Sequence, residues 1–168
     1  MKTKRLTLIA LLLSMGIVLQ IFESSLPVIA GIPGGKLGFA NIVTILCINL
    51  FDIKTSFVLS VLRPLLSSLL YGGLTQLPYS LSGSILAFIT MVIIIKKSDK
   101  FSYMGAAIIG ALAHNFAQVT VAVLMYSNIH IYKYLPPLLI ISVASGYFTG
   151  FCSTLIIQKY KNRKNASI

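Results

Sequence analysis

The chain has 168 residues, 57% of them hydrophobic and only 10% charged, with a mean hydropathy of +0.91. A soluble domain of this size carries about a quarter charged residues, so the composition excludes one and indicates an integral membrane protein. The formal charge of +11 does not point to nucleic acid, because the lysines and arginines gather at the ends of apolar runs, where they mark membrane topology.

A basic head, MKTKR, precedes the first apolar run, which is longer than the core of a signal peptide and is followed by five more. It predicts a retained helix over residues 6–29. Next comes GIPGGKLGFAN, Gly31 to Asn41. It is not a phosphate-binding P-loop: Ala30 stands where that motif needs its first glycine, and Leu37 follows Lys36 where serine or threonine is required. Gly31, Gly34, Gly35 and Gly38 let backbone approach a ligand closely. The stretch therefore reads either as a lid, with Lys36 favouring an anion, or as an outer loop whose lysine meets headgroups.

A second helix is predicted over 37–51. At about 1.5 Å per residue it falls short of a roughly 30 Å hydrocarbon core. The glycine stretch before it must then help to cross the membrane or line a cavity within it, which favours Asn41 as a hydrogen-bonding residue beside the lid. A third helix, 55–71, carries Arg63-Pro64 near its middle and ends at Gly72-Gly73. The fourth, 77–95, opens with QLPYSLSGS, whose Tyr79, Ser80 and Ser82 are polar groups near one end. The fifth, 103–126, contains ALAHNFAQ, in which His114 and Gln118 share a face with Asn115 alongside. In the sixth, 136–157, Ser142, Gly146 and Gly150 recur every four residues, a stripe suited to close helix contact within the chain or with a partner. A basic tail covers 158–168.

With the N-terminus inside, six spans put Lys54, the Lys96–Lys100 cluster and the basic tail inside as well, leaving Lys36 and Lys133 outside. This is the positive-inside pattern. The predicted fold is an all-α membrane bundle of six transmembrane helices with both ends cytoplasmic, a multi-pass protein of a bacterial cytoplasmic membrane.

Arg63 is the sharpest chemical signal, since a charge at mid-span costs at least about 2.5–3.5 kcal/mol and faces the bundle interior. Either it pairs with Glu23, at the end of the first helix, or it joins Lys36 in holding a ligand anion. His114, Asn115 and Gln118 supply a hydrogen-bonding wall, and Tyr79 and Ser80 a rim. Cys47 and Cys152 both lie in apolar runs, and two histidines and three acids supply no metal cluster.

The ordered set GGKLGFANIVTIL, RPLLSSLLYGG, YSLSG, AHNFAQ and YLPPLLI resembles the membrane family of heptaprenyl diphosphate synthase component I, also called the Gx transporter family. That family is similar to the S components of energy-coupling factor transporters. The resemblance implies a six-helix bundle, a pocket toward the outer face under the loop between the first two helices, and a membrane coupling subunit with ATPases as partner. ATP would then be hydrolysed on the partner, with no cofactor held by this chain. The partner would grip small residues of the first helix; alanine pairs are the family's form, and here the positions are Ala10 and Ser14.

The name of the family raises prenyl synthesis, but prenyl elongation uses aspartate-rich motifs that hold magnesium against diphosphate. Asp52 and Asp99 are the only aspartates in the chain, and they are far apart. The expectation is a non-enzymatic S-component-like subunit for a small anionic or amphipathic molecule: a flavin, another vitamin, or an isoprenoid or quinone precursor. The alternative is an accessory subunit of a soluble prenyl synthase or of a membrane redox assembly.

Overall fold

The computed structural model describes residues 2–25, 38–97 and 102–166, and among them every regular element is helical. Six α-helices follow in order: α1 Lys2–Ser24, α2 Asn41–Leu50, α3 Ile53–Ser67, α4 Leu77–Lys97, α5 Tyr103–Tyr126 and α6 Leu135–Ala166. A wide π-type turn, Ser68–Gly72, and a short 3-10 turn, Leu74–Gln76, connect α3 to α4. A second 3-10 turn, Ile129–Tyr134, connects α5 to α6.

Five of these helices are long and apolar enough to cross a membrane, which corrects the expectation of six spanning helices. The exception is α2, whose ten residues cover about 15 Å. It is short because it does not face lipid: every residue from Asn41 to Ile48 is buried. A helix enclosed on all sides by protein has no bilayer thickness to match. Ile45, Leu46, Cys47 and Ile48 pack there with Leu12 of α1, Leu59 of α3, Phe88 and Met91 of α4 and Ile157 of α6 as the main core.

Helix α1 is described as far as Ser24, with the Ser25 N–H bonding back to the Ile21 and Phe22 carbonyls; residues 26–29 of the predicted span lie outside the described residues. One boundary differs from expectation. Helix α6 continues well beyond the predicted end at 157, so the basic tail is helical as far as Ala166. The segment QKYKNRKNA holds no glycine or proline to stop the helix, and lysine, glutamine and arginine are good helix formers.

The small-residue stripe of α6 is spent inside the chain. A Cβ on Gly146 would lie 2.6 Å from Ile108 Cα, and one on Gly150 would lie 2.5 Å from Met104 Cα. Helices α5 and α6 thus run antiparallel with their backbones in contact, and Ser142, Ser145, Thr149 and Ser153 are buried along the same seam. Their hydroxyls bond to carbonyls three or four residues back in α6 itself, so none of these four donors is left open.

One polar clasp closes an end of the bundle. Asp52 caps α3 by accepting from the Thr55 N–H (2.9 Å) and forms an ion pair with Arg5 of α1. Arg5 also bonds the Thr55 hydroxyl at 3.2 Å and lies 5.9 Å from the centroid of the Phe51 ring. Tyr160 of α6 borders the same space as Lys4, Arg5 and Asp52, so the α1 start, the α2–α3 turn and the α6 extension lie together. The first turns of α1 and the extension of α6 are therefore at one end of the bundle.

Two tests follow from this packing. A Gly146→Leu substitution should lower the unfolding midpoint in detergent, at an overpacking cost of about 1–3 kcal/mol. Exchange of its exposed neighbour, Tyr147→Leu, should leave the midpoint nearly unchanged.

Asp52 is held down to about 2 by the Thr55 N–H, the Thr55 hydroxyl and then Arg5. A carboxylate held low contributes stability above its unfolded pKa of roughly 4 and loses it as pH falls toward 2. The difference between wild-type and Asp52→Asn midpoints should therefore shrink across that interval. A difference constant with pH would show that the capping bonds do not depend on the carboxylate's charge.

Candidate functional site

Arg63 lies ten residues into α3, about 15 Å along its axis, and is only 3% exposed. Its stem runs beside Gly16 of α1, where a Cβ would come within 2.9 Å of Arg63 Cδ. The guanidinium then meets two other helices. Nη1 donates to the Ala40 carbonyl at the start of α2 and reaches Thr44 Oγ1 at 3.3 Å. Nη2 donates to Ser84 Oγ of α4 at 2.9 Å, and Nε has no hydrogen-bond partner among the described residues. Bonds from a charged donor contribute about 1.5–3 kcal/mol each, so two good ones offset the insertion cost of roughly 2.5–3.5 kcal/mol. In this arrangement Arg63 is a fork holding α2 and α4 to α3.

Glu23 completes the other side. Its carboxylate accepts from the Gly38 N–H, fixing the chain just before α2 to the end of α1. Gly38 has φ +83°, a left-handed conformation for which glycine carries no Cβ penalty. Arg63 and Glu23 together border a cavity of about 10 Å³ lined also by Gln20, Asn41, Ser80, Ser84 and His114, room for about one water. The His114 ring lies against Gly83 of α4, where a Cβ would be 2.9 Å from Cε1 and Nε2. Asn41 is fully buried, and its Nδ2 has no partner among the described residues.

The predicted residues separate into groups. Asn41, Arg63, Ser80, His114 and Gly38 meet around this cavity. Asn115 turns instead toward α6, donating to Ser142 Oγ at 2.6 Å. Gln118 is 1% exposed, with neither amide atom hydrogen-bonded among the described residues. Tyr79 is buried, beside Tyr126 of α5. Ala10 and Ser14 lie exposed on α1, the Ser14 hydroxyl bonding the Leu11 carbonyl at 2.9 Å. Lys36, Gly31, Gly34 and Gly35 lie outside the described residues.

Sequence reasoning missed Gln20 and Ser84, which line the cavity, whereas Ser82, noted beside Tyr79 and Ser80, does not. The Ser82 hydroxyl bonds back to the Tyr79 carbonyl of its own helix (3.0 Å). The available signal was spacing: Ser80 and Ser84 are four apart on one face of α4, as Gln20 and Glu23 are three apart on α1. Ser84→Ala should destabilise the protein by about 1–3 kcal/mol, because it orphans a buried charged donor. Ser82→Ala should stay within about 0.5 kcal/mol, and thermal unfolding of the two variants in one detergent makes the comparison.

The family model described as heptaprenyl diphosphate synthase component I matches residues 12–156. No curated protein and no solved structure matches the chain.

Proposed function

The chain belongs to the heptaprenyl diphosphate synthase component I family, and from that premise we propose that it is a non-catalytic, membrane-embedded substrate-binding subunit resembling the S component of a transporter. Its cargo would be a small anionic or amphipathic molecule taken from the outer face. The observation that carries this reading is the buried polar cavity among α1 to α5, in which a permanent cation, a carboxylate, a histidine and two amides meet inside an apolar bundle. Ionisable groups at such depth are expensive and mark ligand or ion pathways.

The cavity has room for about one water, so a cofactor-sized ligand would enter only as the outer ends of α1 and α2 part. The two contacts that hold those ends are polar and exchangeable: Glu23 on Gly38 and Arg63 on Ala40. A ligand anion would replace the Ala40 carbonyl on the guanidinium and gain a charged bond where a neutral one stood. Lys36 would add a second cation. The positive-inside pattern would set both chain ends in the cytoplasm, with the cavity toward the outside. Energy for reorientation would come from a membrane coupling subunit with ATPases.

A second reading rests on the family's own description, which names one component of a synthase. This chain would then be a membrane accessory of a soluble prenyl synthase subunit, with catalysis on the partner. Copurification from the native membrane separates the two. ATPases recovered with a coupling subunit support transport, whereas a prenyl synthase whose activity falls when this chain is removed supports the accessory role.

The site has its own test. Mass spectrometry of the purified protein should detect a retained small molecule, and Arg63→Lys should lower its occupancy at least about tenfold, because a lysine cannot reproduce the bidentate fork. Lys36→Ala should lower it as well. Occupancy unchanged in both variants would leave Arg63 with a structural role alone.

A further inference from the structure

The opposite end of the bundle holds a larger cavity, of about 450 Å³. It lies between the first turns of α1 and the extension of α6. With 32 residues, α6 measures about 48 Å against a hydrocarbon core of roughly 30 Å, so its last turns project beyond the membrane and wall this space. The floor is apolar, made by Leu8, Leu50 and Phe51, and the rim carries Lys4, Arg5 and Tyr160.

The two rim cations differ in what they have left to give. Arg5 is occupied by Asp52, Thr55 and the Phe51 ring, and in neutralising Asp52 it removes the one negative charge of the lining. Lys4 makes no hydrogen bond or ion pair among the described residues. Arg163 stands three residues beyond Tyr160 on α6, hence on the same helix face, and it too is exposed and without an ion-pair partner among the described residues. Lys4 on the lining and Arg163, one turn of α6 beyond the lining residue Tyr160, are therefore two uncommitted cations beside an apolar floor, where α6 extends past a core of this thickness.

We propose that this cavity is a second binding site, for an anionic phospholipid: its phosphate at Lys4 and Arg163, its first acyl carbons over Leu8 and Leu50. Basic residues next to a transmembrane helix attract anionic headgroups, and here they stand above a cavity large enough to seat one. A zwitterionic headgroup would bring its own cation against Lys4 and Arg163 and lose most of the attraction. The site shares no residue with the Arg63 cavity, so the inference stands apart from the transport reading.

Native mass spectrometry of the full chain released from detergent, titrated with phosphatidylglycerol, phosphatidylcholine or inorganic phosphate, tests it. Phosphatidylglycerol adducts should persist at activation energies that strip phosphatidylcholine, and phosphate alone should not be retained. The Lys4→Ala/Arg163→Ala double variant should lose phosphatidylglycerol affinity about 25-fold, from roughly fivefold per charge. Lys133→Ala, an exposed charge between α5 and α6, should change nothing. Equal retention of the two lipids, an unchanged double variant, or phosphate bound as well as lipid would each overturn the proposal.

Discussion

A guanidinium inside a membrane bundle cannot be left to the solvent, so the protein must bring acceptors to it, and the arrangement of four helices follows from that need. Arg63 finds a carbonyl at the first turn of α2, a more distant hydroxyl further along it, and a serine of α4. Its aliphatic stem occupies the space left by Gly16 of α1. Each acceptor comes from a segment remote in sequence, so the charge acts as a tie between elements that apolar packing alone would hold in many registers. Lipid-like side chains are poor at specifying register; a fork with fixed geometry is good at it.

That tie explains the position of α2. An enclosed ten-residue helix needs both ends fixed, because it has no contact with the bilayer to orient it. Its first end is held by Arg63 and, through Gly38, by Glu23. Its second end runs into the Asp52–Arg5 clasp. The cavity lies at the first of these attachments and the basic recess at the second. Helix α2 with its caps therefore borders both: Ala40 and Asn41 line the cavity, and Leu50 and Phe51 the recess.

The other half of the structure is built by contact rather than by charge. Helices α5 and α6 meet at glycines, backbone to backbone, with serine and threonine hydroxyls returned to their own helix. This gives a close-packed pair that α2 and, through α5, α4 contact. It also explains why the polar face of α5 divides. His114 looks toward α4 and the cavity, while Asn115, one residue on and about 100° around the helix, bonds to α6.

Much of this was legible in the residues themselves. Apolar run lengths located the helices, the four-residue repeat of small residues in α6 indicated a helix contact, and a charge at mid-span identified Arg63 as an interior residue, because insertion energetics depend on composition and depth alone. The partners of that charge were not legible. Placing Ser84 and the Ala40 carbonyl on the guanidinium depends on the rotation and height of one helix against another. A backbone carbonyl, moreover, carries no signature in the sequence at all. The sequence by itself determined a membrane bundle with a buried cation and a short second helix; only the tertiary structure decided that the cation ties α2 and α4 to α3, since hydrogen-bond partners are set by distances that exist only once the helices have packed.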